Sequence, residues 1–142
     1  MKIAIVILNW NGWDMLKRFL PILQSNLIAD SVVFVADNAS SDDSLQLLNS
    51  DFPDVRVIEL DKNYGFADGY NKALQQIDAE YYLLLNSDVE VTSDWIEPML
   101  WFMEANHDVA ACQPKILSMR ELVADSLISM VIPIVVAVYL IR

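Results

Sequence analysis

Five short apolar segments recur along this 142-residue chain, and they limit the folds that it can adopt. Each segment is rich in β-branched or aromatic residues, and none shows a strict alternation of apolar and polar residues. They cover residues 3–8, 32–36, 55–60, 81–85 and 109–112. Such runs are typical of parallel strands, because a parallel sheet is usually covered on both faces.

Helical patterns separate the apolar segments. Apolar residues recur at helical spacing over residues 13–23, 44–49, 66–77 and 94–105. Thr92 and Ser93 are candidate N-caps of the last helix, and Pro98 falls in its first turn, where proline is tolerated. Pro21 predicts a kink or an early end of the first helix. The alternation of strand and helix predicts an α/β fold, a doubly wound, mostly parallel sheet with helices on both faces.

Polar residues follow four of the predicted strands. The chain continues as Asn-Trp-Asn at 9–11, Asp-Asn-Ala-Ser-Ser at 37–41, Asp-Lys-Asn-Tyr-Gly at 61–65 and Asn-Ser-Asp at 86–88. The carboxyl ends of parallel strands meet at one edge of the sheet, where ligands of open α/β sheets bind. The two commonest glycine-rich phosphate loops are absent from the sequence. We therefore expect a ligand site at this edge that is built without them.

A divalent metal is the obvious substitute for a phosphate loop. Asp88, with Asn86 before it and Glu90 after it, supplies hard oxygen ligands of the kind that Mg²⁺ or Mn²⁺ prefers. A turn residue at a strand end is the alternative for Asp88. Residues 37–42 are likewise good turn and helix-cap chemistry, so a structural role for Asp37 stays open.

Charge, cysteine content and the N-terminal sequence argue against a nucleic-acid-binding protein and against a secreted one. The chain carries 20 acidic and 9 basic residues, a formal net charge of −11 at pH 7, which argues against nucleic acid as a partner. The lone Cys112 favours a reducing compartment. The first apolar run has six residues and no cleavage site, so it is not typical of a signal peptide. All of the net charge falls in residues 1–118, and residues 119–142 are neutral and contain no glycine.

Four strings in the first part of the chain resemble a known family. They are AIVILNWNG at 4–12, VADNASSDDS at 35–44, NYGFADGYNKAL at 63–74 and LLNSDVEV at 84–91. In order and spacing they are similar to the N-terminal nucleotide-binding half of family 2 glycosyltransferases, which have the GT-A fold. The resemblance covers residues 1–118. It implies an inverting enzyme that moves a sugar from a nucleotide diphosphate sugar to a glycan or lipid-linked acceptor, with Mn²⁺ or Mg²⁺ as cofactor.

The resemblance also implies roles for individual residues. The substrate-binding set is Asn9, Trp10, Asp37, Asn63, Gly65, Gly69, Asn71 and Asn86. Within it, Asn9 meets the nucleotide, Trp10 flanks the base, Asp37 accepts a hydrogen bond from the base, and residues 63–71 line the diphosphate and sugar. Residues 86–88 replace the family's D-x-D motif, so that Asp88 is the expected metal ligand and Asn86 a neutral replacement near the ribose or sugar.

No residue of this chain matches the family's general base. An inverting transfer needs a group that takes the proton from the acceptor hydroxyl. The acidic residues that follow the D-x-D position, Glu97, Glu104, Asp108, Glu121 and Asp125, stand in no matching motif. We therefore assign no catalytic residue and expect a truncated, catalytically incomplete form of the enzyme.

Residues 119–142 form a second segment, an apolar tail of a different kind. Of residues 122–141, 16 are apolar, close to the roughly 20 that a membrane-spanning helix needs, but Asp125 and Pro133 weaken that interpretation. A strand buried against the core is one alternative, and a shift of reading frame near Ser118 is another. The family resemblance, rather than this segment, implies peripheral association with the membrane.

Two other functions compete with the glycosyltransferase. One is a non-enzymatic remnant that binds nucleotides or is anchored to a membrane. The other is a receiver-like signalling domain, which predicts an acidic pair after the first strand and a lysine after the fifth. Lys115 fits the second requirement, but Asn-Trp-Asn at 9–11 does not fit the first. Family members build surface polysaccharides, so the resemblance implies a cytoplasmic protein, located at the inner face of the cell membrane.

Overall fold

The computed structural model describes residues 1–114 and 138–141, which form an α/β fold. The six strands are β1 (Ile3–Asn9), β2 (Ser31–Asp37), β3 (Arg56–Glu59), β4 (Tyr81–Leu85), β5 (Ala111–Cys112) and β6 (Val138–Ile141). The four helices are α1 (Trp13–Ser25), α2 (Ser44–Asp51), α3 (Gly65–Leu74) and α4 (Glu97–Ala105). They confirm the predicted order of strands and helices up to β5.

The six strands form one sheet in the order β3-β2-β1-β4-β6-β5. Strands β1 to β4 run parallel to their neighbours, whereas β6 runs antiparallel to both β4 and β5. The sheet is therefore mostly parallel, as predicted. The parallel register sets Asn9 opposite Asp37, and Asp37 opposite Glu59, so the carboxyl ends of β1, β2 and β3 are level.

Each face of the sheet carries its own core. Ile3, Ile5 and Ile7 of β1 pack on the face that α1, α2 and α4 cover. The alternate residues Ala4 and Val6 pack on the opposite face with residues of α3. Because successive side chains of a strand point to opposite faces, a continuous apolar strand needs cover on both sides. This arrangement confirms the predicted helices on both faces.

Pro21 does not end the first helix, which continues to Ser25. Its side chain is exposed, whereas Leu20 and Leu23 are buried in the core beside it. Burial of these leucines against the sheet outweighs the backbone hydrogen bond that proline lacks. The prediction of an early end was therefore wrong.

The last described helix begins later than predicted. Asp94 adopts a left-handed backbone with φ 54°, and the helix begins only at Glu97, with the buried Ile96 as its N-cap. Trp95 donates from its indole nitrogen to the Asn26 carbonyl at 3.1 Å, which fixes the preceding turn. The prediction that Thr92 or Ser93 caps the helix was therefore wrong. Pro98 lies in the first turn, as predicted.

The end of the apolar tail forms a strand inside the sheet. In β6, Leu140 is fully buried and lies opposite Leu83 of β4. Residues 138–141 thus adopt the buried strand that was one alternative for the tail. The remaining tail residues, with Asp125 and Pro133, lie outside the described residues. No helix in the described ranges is both long and apolar enough to cross a bilayer.

Candidate functional site

The ends of β1 and β2 are joined by a buried pair of polar side chains. Asn9 and Asp37 are each 1% exposed. The Asn9 Nδ2 atom donates to Asp37 Oδ1 at 2.9 Å and to Ser40 Oγ at 3.1 Å. The second Asp37 oxygen accepts the backbone N–H of Ser40 at 2.9 Å. Hydrogen bonds to both oxygens stabilise a carboxylate that would otherwise be costly to bury.

The β1–α1 loop folds tightly over Asn9. A Cβ atom at Gly12 would lie 2.4 Å from Asn9 Oδ1, which is far too close for two non-bonded atoms. The same position is 3.8 Å from Ser87 Oγ, beyond the end of β4. Glycine at position 12 therefore allows the ends of β1 and β4 to approach each other. Asn9 Oδ1 is itself buried and has no hydrogen-bond partner in the described part of the chain.

The same loop is tied to the loop that follows β2. Asn11 has a left-handed backbone with φ 52°, its N–H donates to Ser40 Oγ at 2.9 Å, and its Oδ1 accepts the Ser41 N–H at 2.7 Å. Trp10 lies between the anchored residues Asn9 and Asn11, and its side chain is 59% exposed. The loop therefore presents an aromatic side chain to solvent at the edge of the sheet.

The N-terminus of α1 is capped from the neighbouring loop. Gly12 offers no side chain, and Asp42 Oδ2 instead accepts the N–H of Trp13 at 3.1 Å while its Oδ1 accepts that of Ser44 at 3.1 Å. Burial acts to raise the pKa of the Asp42 carboxyl, but hydrogen bonds from Ser44 and Trp13 outweigh it and lower the pKa. Asp42 thus satisfies a free N–H group of the first helical turn.

The loop after β3 is held to the end of β2 by Asn38, which is 2% exposed. Its Nδ2 donates to Asn63 Oδ1 at 3.0 Å and to the Gly65 carbonyl at 3.1 Å. Its Oδ1 accepts the N–H of Tyr64 at 2.9 Å. Gly65 has φ +74°, a conformation that side chains rarely adopt. These bonds hold the predicted residues Asn63 and Gly65 against Asn38, the residue that follows Asp37.

Helix α3 packs closely on the ends of β1 and β4. A Cβ atom at Gly69 would lie 2.9 Å from the Leu8 methyl groups, so glycine permits this close approach. The buried Tyr70 donates from its hydroxyl to the carbonyl of Leu85, the last residue of β4, at 3.1 Å. Burial raises the pKa of Tyr70 to about 12. Asn71 is exposed on the same helix.

The chain beyond β4 carries the predicted metal ligand. Asn86 and Ser87 are half-buried, and Asp88 and Glu90 are exposed. An exposed carboxylate beside an amide fits a Mg²⁺ or Mn²⁺ ion that takes its other ligands from substrate phosphates and water. Within residues 1–114 and 138–141, no three His, Cys, Asp or Glu side chains form a complete set of metal ligands.

Of the five acidic residues at positions 97–125, the candidates for a general base, three are described by the structure and two are not. Glu104 pairs with Lys2, at the amino end of β1 and thus at the opposite edge of the sheet. Glu97 and Asp108 are exposed at the beginning of α4 and after its end. Glu121 and Asp125 lie outside the described residues. We therefore assign none of the described carboxylates as a general base.

The structure brings several predicted site residues together and shows further residues in the same hydrogen-bonded network. Asn9 contacts Asp37 directly, and Asn63 and Gly65 are joined to them through Asn38. The residues that the sequence reasoning missed are Asn11, Gly12, Asn38, Ser40 and Asp42. Their signal was the recurrence of Asn, Ser and Asp directly after neighbouring strands, which are the residues that bond loop backbone.

Comparison with known proteins identifies a family and a curated protein that are similar to this chain. The family described as glycosyl transferase family 2 matches residues 4–124. A teichoic acid poly(glycerol phosphate) polymerase of Staphylococcus epidermidis is 26% identical over 96 residues, which are 65% of this chain and 13% of that protein.

Two solved structures have a similar fold. TarS of S. aureus in complex with UDP-GlcNAc has a TM-score of 0.66 and 23% identity, over 75% of this chain and 32% of that one. The mannosyltransferase PcManGT of Pyrobaculum calidifontis in complex with GDP-Man and Mn²⁺ has a TM-score of 0.68 and 19% identity, over 78% of this chain and 34% of that one. These likenesses confirm the predicted GT-A type of fold. The chain spans about a third of each structure.

Proposed function

The chain belongs to glycosyl transferase family 2, and from that membership we propose that its strand-end edge binds a nucleotide diphosphate sugar. The proposed reaction is transfer of that sugar, with inversion, to a glycan or lipid-linked acceptor in the synthesis of a cell-surface polysaccharide. The single observation that carries the proposal is the hydrogen-bonded network at this edge, in which Asn9, Asp37 and Asn38 join three strand ends.

The edge offers groups of the type that a nucleotide needs. Trp10 supplies an exposed aromatic face for a base. Asn63, Gly65 and Asn71 are exposed along the β3–α3 loop and α3, where we propose that the diphosphate and sugar lie. The complexes of TarS with UDP-GlcNAc and of PcManGT with GDP-Man support a nucleotide sugar as the ligand of such a site.

Asp37 has a structural role that qualifies its proposed contact with the base. Both of its oxygens accept hydrogen bonds from within the protein, and the side chain is buried. Each carboxylate oxygen can still accept a second hydrogen bond. Because Asp37 is buried, however, a base N–H can reach it only if the loop at 38–41 moves aside. We therefore propose that Asp37 chiefly fixes Asn9 and Ser40, and that a base contact would follow a local opening.

We propose Asp88 as the ligand of a Mn²⁺ or Mg²⁺ ion, with Asn86 near the ribose or sugar. The exposure of Asp88 at the end of β4 and the Mn²⁺ in the PcManGT complex support this. When bound, such an ion would supply positive charge beside the nucleoside diphosphate. The name of the S. epidermidis relative, a teichoic acid polymerase, supports a role in making a cell-surface polymer. We propose the inner face of the membrane as the location.

Calorimetric titration with UDP and GDP, with and without Mn²⁺, tests the proposal. We expect the chain to bind at least one of them, and Asp88→Ala to lose the part of the affinity that depends on Mn²⁺. Asp54→Ala is the matched control, because Asp54 is an exposed carboxylate before the beginning of β3, at the opposite edge. Unchanged Mn²⁺ dependence in Asp88→Ala would remove that residue from the site. A chain that binds neither nucleotide under either condition would overturn the proposed function.

A further inference from the structure

Two lysines face the ring of one tyrosine just beyond the end of β3. Lys62 Nζ lies 5.0 Å from the centroid of the Tyr64 ring, and Lys72 Nζ lies 5.5 Å from it. The two ammonium groups are therefore at most about 10.5 Å apart, the sum of these distances. The ring is itself held, because its hydroxyl donates to Asp61 Oδ1 at 2.7 Å and the Tyr64 N–H donates to Asn38.

Both lysines are directed towards the strand-end edge. Lys62 directly precedes Asn63, which is bonded to Asn38 at the end of β2. Lys72 belongs to α3, yet its ammonium group reaches back to Tyr64, the residue before the first residue of the helix. Side chains of a helix lean towards its N-terminus, which explains this reach. Both lysine side chains are exposed and so open to a ligand.

The charge of this cluster is opposite to that of the chain. The pKa of the Asp61 carboxyl is lowered by the hydrogen bond from Tyr64 and by the charges of Lys62 and Lys72, so Asp61 remains ionised. The three groups Lys62, Lys72 and Asp61 carry a formal charge of +1, and the N-terminus of α3 adds a partial positive charge, whereas the exposed Asp68 in the first turn of α3 adds a negative one. At physiological salt, charges are screened over about 8 Å, so acidic residues of this chain that lie farther away than that affect the two lysines little.

We propose that Lys62 and Lys72, held on the Tyr64 ring, form an anion subsite that takes a phosphate group at the edge of the nucleotide site. A lysine ammonium binds phosphate as a compact point charge, and exposed ammonium groups on flexible stems can approach it from two sides. The phosphate belongs either to the donor nucleotide, in which case the subsite rests on the proposed function, or to the acceptor. In the first case the lysines give affinity that needs no metal.

Calorimetry in the presence of EDTA tests this subsite with three probes. UDP carries both base and phosphates, uridine carries only the base, and glycerol phosphate carries a phosphate without a base. The test variant is Lys62→Gln with Lys72→Gln. The control is Arg56→Gln, because Arg56 also lies against an aromatic ring, that of Phe34, at the amino end of β3.

We expect UDP to bind without metal, more weakly as salt is raised, and roughly tenfold more weakly for each lysine removed. Uridine binding and the Arg56→Gln control are expected to be unchanged. If glycerol phosphate rather than UDP loses affinity in the double variant, the phosphate is that of the acceptor. Equal affinity and salt dependence for both phosphate probes in the double variant and the wild type would overturn the subsite.

The two proposals fail in different ways. A wild-type chain that binds glycerol phosphate through the lysines but binds no nucleotide, even with Mn²⁺, contradicts the proposed function and retains the subsite. A chain whose UDP binding requires Mn²⁺ and is indifferent to the lysines retains the function and contradicts the subsite.

Discussion

Substitution of Gly12 by alanine tests whether the buried amide of Asn9 holds the strand ends together. The new Cβ would lie 2.4 Å from Asn9 Oδ1, whereas the two atoms need a separation of about 3.2 Å or more, so the amide must move by close to an ångström. Asn9 is buried, and its Nδ2 bonds to Asp37 at 2.9 Å and to Ser40 at 3.1 Å would be stretched or lost. A bond to a charged group contributes about 1.5–3 kcal/mol and a neutral one about 1 kcal/mol. Alanine returns roughly 0.4–1 kcal/mol by restricting the unfolded chain, so we expect a net loss of about 2–3 kcal/mol.

Urea denaturation followed by circular dichroism measures this loss. Gly65→Ala is the control, because a Cβ there meets no atom within 4 Å and the cost comes from the backbone at φ +74°, about 1–2 kcal/mol. We also expect Gly12→Ala to cost much less in a chain that already carries Asn9→Ala, since the amide that it displaces is then absent. Wild-type stability of Gly12→Ala, or an equal cost in both backgrounds, would refute the reasoning.

Two further predictions concern stability. Ala39 has a left-handed backbone with φ 58°, so Ala39→Gly should raise the free energy of unfolding by roughly 0.5–1 kcal/mol. The control Ala36→Gly, in the buried part of β2, should lower it by about 1 kcal/mol. Urea midpoints that move in the opposite directions would contradict this prediction. Burial raises the pKa of Tyr70 from 10.0 to about 12. The protonated phenol is thus favoured in the folded state, and its contribution is complete below pH 10 and lost as the pH rises towards 12. The free energy of unfolding of the wild type should therefore fall relative to that of Tyr70→Phe by about 1.4 kcal/mol per pH unit over that range. Parallel pH profiles of the two proteins would contradict the raised pKa of Tyr70.

The parts of the fold that local patterns determine could be predicted from the sequence. The apolar run at residues 3–8 lies in β1 and places Ile5 in one core and Val6 in the other, which requires only the period of a strand and cover on two faces. The meeting of Asn9 with Asp37 also follows, because parallel strands of equal register end at the same edge.

Features that depend on distant partners could not be predicted. The delay of α4 to Glu97 depends on Trp95, whose indole bonds a carbonyl 69 residues earlier. The place of β6 between β4 and β5 depends on pairing with residues far away along the chain. Asn38 follows a strand like its neighbours, and nothing local shows that its amide bonds the loop beyond β3.

Chemical-shift mapping by NMR tests the central claim most directly. In an amide spectrum of the chain titrated with UDP or GDP in the presence of Mg²⁺, we predict shifts at residues 9–12, 37–41, 63–65 and 86–88, the four segments at and beyond the carboxyl ends of β1 to β4. Residues at the opposite edge, such as Lys2 and Asp54, should not shift. Shifts confined to that opposite edge, or none with either nucleotide, would contradict a nucleotide site at the carboxyl ends of the strands.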